Sequence, residues 1–286
     1  MSGRDRAPYP GDDVVATGWV HVEPVMGSTV TLDVRDPQVS PPRLESALAT
    51  AVAVLHEADR VFSTYDPDSS VSRLRRGTAA LGECPPDVAN VLAMCDVAYE
   101  QTGGWFDAWA MPGGVDPTGL VKGWAAQRAL HALTRHGIRH AVVNAAGDLA
   151  VTGNSSGRDD GSGWRVGVLD PGDPGRVLDS VRVTGTGVAT SASYERGPLA
   201  IDPNTQQPVQ RLASATVIGP DLALADAYAT AAVAHGPDAL GWLEMLAEVR
   251  AILVTLDGKV LRSGRSGGPH SPRRGRAAGE SSATTT

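Results

Sequence analysis

The chain has 286 residues, with 25 Lys and Arg against 32 Asp and Glu, a formal charge of −7, and it is 42 % hydrophobic and 20 % charged. That composition can bury a core and excludes wholesale disorder, and the acidic balance excludes nucleic-acid binding through bulk charge. Two cysteines, Cys84 and Cys95, are too few for a disulfide framework or a four-thiolate zinc site. The length predicts one to two domains. No apolar run approaches the roughly 18 residues of a membrane span, and the opening residues lack the apolar stretch of an export signal. The expectation is a cytosolic protein without a membrane span.

Residues 1–18 are polar and rich in Pro and Gly, and are expected to be loose. Ser28–Val34 alternates as S-T-V-T-L-D-V, the pattern of a half-buried strand. Over 42–62, Leu44, Leu48, Ala51, Val52, Leu55, Ala58 and Phe62 recur at spacings of three and four, which predicts one amphipathic helix behind prolines. A second helix is expected over Pro86–Gln101, stopping at Gly103-Gly104, and a third over 122–136, stopped by Gly137. Short β-branched runs at 140–144, 164–169, 178–183 and 214–218 read as strands, with a polar loop over 154–163. Leu222–His235 reads as a helix ended by Gly236, and a further helix is expected across 237–248. Residues 250–255 and 259–261, joined through Asp257-Gly258, read as a hairpin. Helices and strands come in blocks, so the expected class is α+β, a single domain over 19–262 with mixed or antiparallel sheets and packed helices. The Gly/Ser/Arg/Thr-rich stretch 263–286 is expected to be a disordered tail.

Gly153 to Gly157 matches G-x-S-x-G, but it lies in a loop of Asn, Ser, Asp and Gly rather than between a strand and a helix, so it is not a nucleophile elbow. There is no phosphate loop, no dinucleotide fingerprint opening a helix, and no H-x-x-x-H pair. Three constellations remain. The run from Val115 to Trp124 is a turn leading into a helix, where backbone amides and Lys122 would attract an anion; Asp116 and Thr118 also suit plain capping. In the run from Ala223 to Thr230, Asp226 and Thr230 are four apart and share one face of an otherwise small and apolar helix. A carboxylate and a hydroxyl there suit a hard cation such as Mg²⁺, although a solvent-facing stripe has the same spacing. Asn144 to Asp148 ends an apolar strand, a position open to a ligand or to a bare turn.

Taken in order, these residues resemble the FAD:protein FMN transferases, the ApbE-type flavin transferase family, from Met26 to about Lys259. The matching pieces are Met26-Gly27-Ser28, the run from Phe62 to Ser69, Gly104-Trp105-Phe106-Asp107, Asp116 with Lys122-Gly123, and Asn144 with Gly147-Asp148. Ala189-Thr190-Ser191, Ile201-Asp202-Pro203 and the run from Ala225 to Thr230 complete the series. The resemblance implies an α+β fold that binds FAD with Mg²⁺ on its pyrophosphate, passes FMN to a Ser or Thr hydroxyl of an acceptor protein, and releases AMP. Asp226 and Thr230 would bind Mg²⁺ by side chain and Gly119 by its carbonyl. Tyr65 would stack on a ring of FAD, and Met26, Trp105, Phe106, Asp107, Asp116, Lys122, Ala200 and Ile201 would line the site. Lys122 and Asp226 would carry catalysis. The resemblance is broken at three places: Ala146 and Gln206 stand where relatives usually have glycine, and Leu199 where a histidine often serves as base. With that histidine missing, Asp202 or Asp116 is the candidate base. A Mg²⁺-dependent FAD diphosphatase and a flavin-binding protein without turnover are the alternative functions.

Overall fold

The computed structural model describes residues 18–192 and 200–263. The expectations for residues 1–17, for the tail from 264 onward and for Leu199 lie outside the described residues. In chain order the first half contains β1 (Trp19–Val25), β2 (Ser28–Val34), α1 (Pro41–Phe62), α2 (Ser70–Arg75), α3 (Pro86–Gln101) and α4 (Thr118–Arg135). Seven strands follow: β3 (Ala141–Ala145), β4 (Asp148–Thr152), β5 (Trp164–Asp170), β6 (Asp173–Val183), β7 (Gly187–Ala192), β8 (Ala200–Asp202) and β9 (Gln207–Val209). The chain closes with β10 (Ser214–Gly219), α5 (Leu222–His235), α6 (Ala239–Leu243), β11 (Arg250–Val254) and β12 (Val260–Arg262).

Eight strands pair in the order β1-β2-β3-β4-β7-β10-β11-β12, and every neighbouring pair is antiparallel. Side chains alternate between the two faces of a strand. Val143, Ala150, Ala189, Ala215 and Val217 join the main core under the helices. Val142, Val151, Val188 and Ile218 point the other way and form a second cluster with Trp164 and Val183, from the β5–β6 hairpin that covers that side. α1 buries Leu44, Ala47, Ala51, Leu55, Ala58 and Phe62 at helical spacing. α5 is buried around most of its circumference, as its alanine-rich sequence requires, and packs on β7 and β10 beside α4, which packs on β3 and β4.

Two tight turns fix one end of the sheet. Met26-Gly27 joins β1 to β2, and Ala146-Gly147 joins β3 to β4, with positive φ at all four residues. Positive φ at both central residues is what a two-residue hairpin needs to match the twist of its strands. The pairing of Val30 with Ala145 puts both turns at the same end, beside the last residues of β7.

The structure extends and trims several expectations. α4 starts at Thr118 rather than 122, because Pro117 occupies the N-cap position and the helix runs straight on from it. α6 covers Ala239–Leu243 only, and Glu248 at φ +60 then turns the chain into β11. β1, β4, β7, β8, β9 and α2 have no counterpart in the sequence expectation. Among the described residues no helix is long and apolar enough to cross a membrane.

Candidate active site

α4 and α5 run antiparallel in close contact, and the contact is built from small residues. Gly119 faces Thr230: a Cβ on the glycine would lie 3.4 Å from Thr230 Cγ2 and 3.5 Å from its Oγ1. One turn along, the Gly123 amide donates to Asp226 Oδ2 at 3.2 Å, and a Cβ there would lie 2.5 Å from the Leu222 carbonyl oxygen. A further turn on, Gln127 Oε1 accepts the Leu222 amide at 2.7 Å. The spacing of four on both helices keeps one face of each turned to the other. Asp226 is 3 % exposed, so its carboxylate sits inside the protein on a helix of small residues. Thr230 also lies 3.5 Å, Oγ to Oγ, from Ser191 at the end of β7.

Lys122 is on the same stretch of α4, and its Nζ stands 3.1 Å from Asp148 Oδ2 at the start of β4. The site thus draws on α4, α5, β4 and β7 at the sheet end that carries the two tight turns. Phe106 is buried and packs against Gly119, its Cε2 3.2 Å from where a Cβ would stand. Met26 occupies the β1–β2 turn at φ +55. Asp116 accepts the Thr118 amide at 3.0 Å and the Thr118 hydroxyl at 2.6 Å, and its other oxygen pairs with Arg75 at 2.8 Å. Asp116 therefore braces the chain entering α4, while the N-cap position itself is Pro117 with no side-chain cap bond, so neither Asp116 nor Thr118 is the cap. Asp107 accepts the amides of Trp109 and Ala110 at 2.8 and 3.1 Å and so shapes its own loop.

A second group gathers at the C-terminal end of α5. The Trp105 ring stacks on His235 with centroids 4.3 Å apart and planes 13° from parallel, and the Arg211 guanidinium lies 5.2 Å from the Trp105 centroid. Arg211 in turn pairs with Asp202 at 2.6 Å. Burial pushes the Asp202 carboxyl up, but the Asn204 amide and the Arg211 guanidinium outweigh it and hold the group below the usual carboxylate range. Burial lowers His235, Asp238 opposes that and Arg211 adds to it, so the imidazole stays neutral below its ordinary range. Ala200 and Ile201, on β8, pack beside α5 in the same region. Neither Arg211 nor His235 is a sequence-predicted site residue; ring contacts between residues 130 positions apart leave no local pattern to read.

Tyr65 stands apart from both groups. It is 96 % exposed, on the loop after α1, where Ser63 Oγ accepts the Tyr65 and Asp66 amides at 3.3 and 3.1 Å. It is not a core residue; its ring is presented to solvent.

An antiparallel sheet backed by helices, with a buried carboxylate, a hydroxyl and an ammonium at one sheet end, defines the α+β class. The chain belongs to the ApbE family, whose model matches residues 26–113 and 110–253. An FAD:protein FMN transferase of Rhodobacter capsulatus is 36 % identical over 157 residues, which is 51 % of this chain and 29 % of the relative. The FAD:protein FMN transferase of Escherichia coli strain K12 is 33 % identical over 135 residues, 43 % of this chain and 37 % of the relative. The match thus spans about a third of the length of these curated relatives. Among solved structures, the flavin transferase ApbE from Vibrio cholerae superposes with a TM-score of 0.74 at 20 % identity, covering 87 % of this chain and 97 % of the other. The ApbE protein from Thermotoga maritima gives 0.75 at 20 % identity, with 86 % and 97 % covered. At that identity the likeness is one of fold.

Proposed function

We propose that this chain is an FAD:protein FMN transferase that moves FMN from FAD to a Ser or Thr hydroxyl of an acceptor protein, with Mg²⁺ at the pyrophosphate and AMP as the leaving group. The observation that carries the proposal is the α4–α5 contact, which sets Gly119 against Thr230 and the Gly123 amide on Asp226. A buried carboxylate, a hydroxyl one helical turn away and a glycine that lets the two helices approach closely make an oxygen-rich cradle. Among the described residues no group of three or more His, Cys, Asp and Glu could hold a metal ion. The donors offered are instead a carboxylate, a hydroxyl and the Gly119 carbonyl, hard oxygens that fit Mg²⁺ with its retained waters and phosphate oxygens. When bound, Mg²⁺ would neutralise charge on the pyrophosphate as it is split.

The rest of the chemistry falls to the chain. The acceptor hydroxyl oxygen forms a bond to the FMN phosphorus as the bridging P–O bond to AMP breaks, and its proton passes to a base. Little covalent work is asked of the protein in such a transfer, so positioning and charge dominate. Lys122 brings an ammonium to the first turns of α4, where it would attract the pyrophosphate. Tyr65 offers an exposed ring for stacking on FAD. Asp202 and Asp116 are the candidate bases, and each is paired with an arginine, which makes a carboxylate a weaker proton acceptor.

Asp226→Ala tests the metal assignment. Calorimetric titration of Mg²⁺ in the presence of a non-transferable FAD analogue should show binding to the wild type and at least roughly tenfold weaker binding to the variant. FAD affinity should largely survive, because ring stacking and hydrogen bonds remain. Wild-type metal affinity in the variant would contradict the assignment.

A further inference from the structure

The proposed chemistry leaves the buried charge of Asp148, beside Lys122, unused. Asp148 is 1 % exposed, pairs with Ala145 across the β3–β4 turn, and lies on the side of β4 that faces α4. The Thr190 amide donates to its Oδ1 at 3.3 Å, and Lys122 Nζ stands 3.1 Å from its Oδ2. Burial holds the Asp148 carboxyl above the usual carboxylate range, and the Lys122 ammonium offsets that cost in part. The turn that delivers Asp148 is itself pinned: Asn144 Oδ1 accepts the Gly147 amide at 2.8 Å, and Ala146 and Gly147 take φ +53 and +109. Lys122, by contrast, carries its ammonium on a flexible four-carbon stem whose side chain is 33 % exposed. It sits one turn beyond Gly119 and next to Gly123, beside the oxygens of the α4–α5 cradle.

We propose that Asp148 is a positioning residue, which holds the Lys122 ammonium in the orientation that faces the pyrophosphate of a bound nucleotide and so acts on the transfer step through Lys122. This rests on the transferase reading. A fixed ammonium matters most as charge redistributes in the breaking P–O bond, and least for simple attraction of an anion into the site. The negative charge on Asp148 also works against binding of an anion nearby. Removing it should therefore separate binding from turnover.

Asp148→Asn keeps the shape of the side chain and its acceptor for Thr190 while removing the charge. In calorimetry with Mg²⁺ and ADP, a pyrophosphate that cannot undergo the transfer, this variant should bind as tightly as the wild type or tighter. Its rate of FMN transfer at saturating FAD should fall roughly 10- to 100-fold. Lys122→Met should weaken ADP binding roughly tenfold. In the double variant Lys122→Met/Asp148→Asn the transfer rate should equal that of Lys122→Met within about twofold, because Asp148 then has nothing to hold, and ADP binding should be no weaker than in Lys122→Met. If Asp148→Asn does not fold, the double variant, which removes both charges of the pair, carries the test against Lys122→Met, with the folding of each checked by its unfolding midpoint. Two results overturn the proposal while leaving the transferase reading in place: ADP binding weakened by Asp148→Asn as much as by Lys122→Met, or a further loss on the Lys122→Met background. A wild-type protein that binds neither ADP nor FAD overturns both.

Discussion

Ala146 and Gln206 stand where the sequence resemblance leads one to expect glycine, and both hold left-handed backbone, at φ +53 and +55. Each side chain is exposed, so neither gains packing in return. A left-handed conformation costs an L-residue roughly 1–2 kcal/mol, and glycine's extra freedom in the unfolded chain returns roughly 0.4–1 kcal/mol of that. Ala146→Gly and Gln206→Gly should each stabilise the protein by about 0.5–1 kcal/mol in urea denaturation. Loss of stability in either would mean that the side chain makes a contact worth more than the strain. Tyr65 tests the opposite case, an exposed ring with little to do for the fold. Tyr65→Ala should change stability by less than about 0.5 kcal/mol. Its FAD affinity should fall about fivefold for a stacking term near 1 kcal/mol, while Tyr65→Phe binds nearly as well. Equal losses in both variants would assign the hydroxyl rather than the ring. At this scale the sequence was legible where a short spacing carried the signal, as in Asp226 and Thr230, four apart on one helix. The Lys122–Asp148 pair and the Trp105–His235 stack depend on tertiary folding, and spacing along the chain does not encode them.

The α4–α5 contact is the element on which the site depends. At Gly123 a Cβ would meet the Leu222 backbone at 2.5 Å, so Gly123→Ala must push the helices apart and should destabilise by about 2 kcal/mol despite alanine's better helix propensity. At Gly119 the nearest atoms are the Phe106 ring at 3.2 Å and Thr230 at 3.4 Å, which can give way. Gly119→Ala should therefore keep its stability within about 1 kcal/mol of wild type, yet lose Mg²⁺-dependent turnover because the new methyl fills the cradle. Full activity in that variant would remove Gly119 from the site. The end of α5 carries a pH dependence. Trp242 Nε1 donates to His235 Nδ1 at 3.0 Å, and burial keeps the imidazole neutral in the folded protein. The unfolded chain takes up a proton near pH 6.5 and the folded imidazole only at lower pH, so stability present above that pH declines as the pH falls below it. Unfolding midpoints at pH 7.5 and 5.5 should differ less in His235→Gln than in wild type, and an unchanged difference would assign the effect elsewhere. The long helices α1, α3 and α5 were readable from apolar spacing and their stops. β4 and β7 were not, because D-L-A-V-T and G-V-A-T-S-A are covered by helices on one face and a hairpin on the other, and small residues buried on both faces show no alternation.

For the whole molecule, the family and the fold agree with the sequence reading, while strand order was beyond it: β7 sits beside β4 through pairing of residues about 40 apart. The sheet order matters because it brings β4, β7, α4 and α5 to one end, where the oxygen donors and Lys122 meet. The central claim is that this end transfers FMN rather than merely holding FAD. Purified protein incubated with FAD and Mg²⁺, with and without a proteome extract as the source of hydroxyl acceptors, and followed by mass spectrometry of both nucleotides and proteins, tests it most directly. The account predicts AMP release that depends on Mg²⁺, with FMN appearing as a covalent adduct on Ser or Thr of an acceptor. Free FMN formed equally without acceptor would make the protein a diphosphatase, and FAD returned unchanged under all conditions would contradict catalysis altogether.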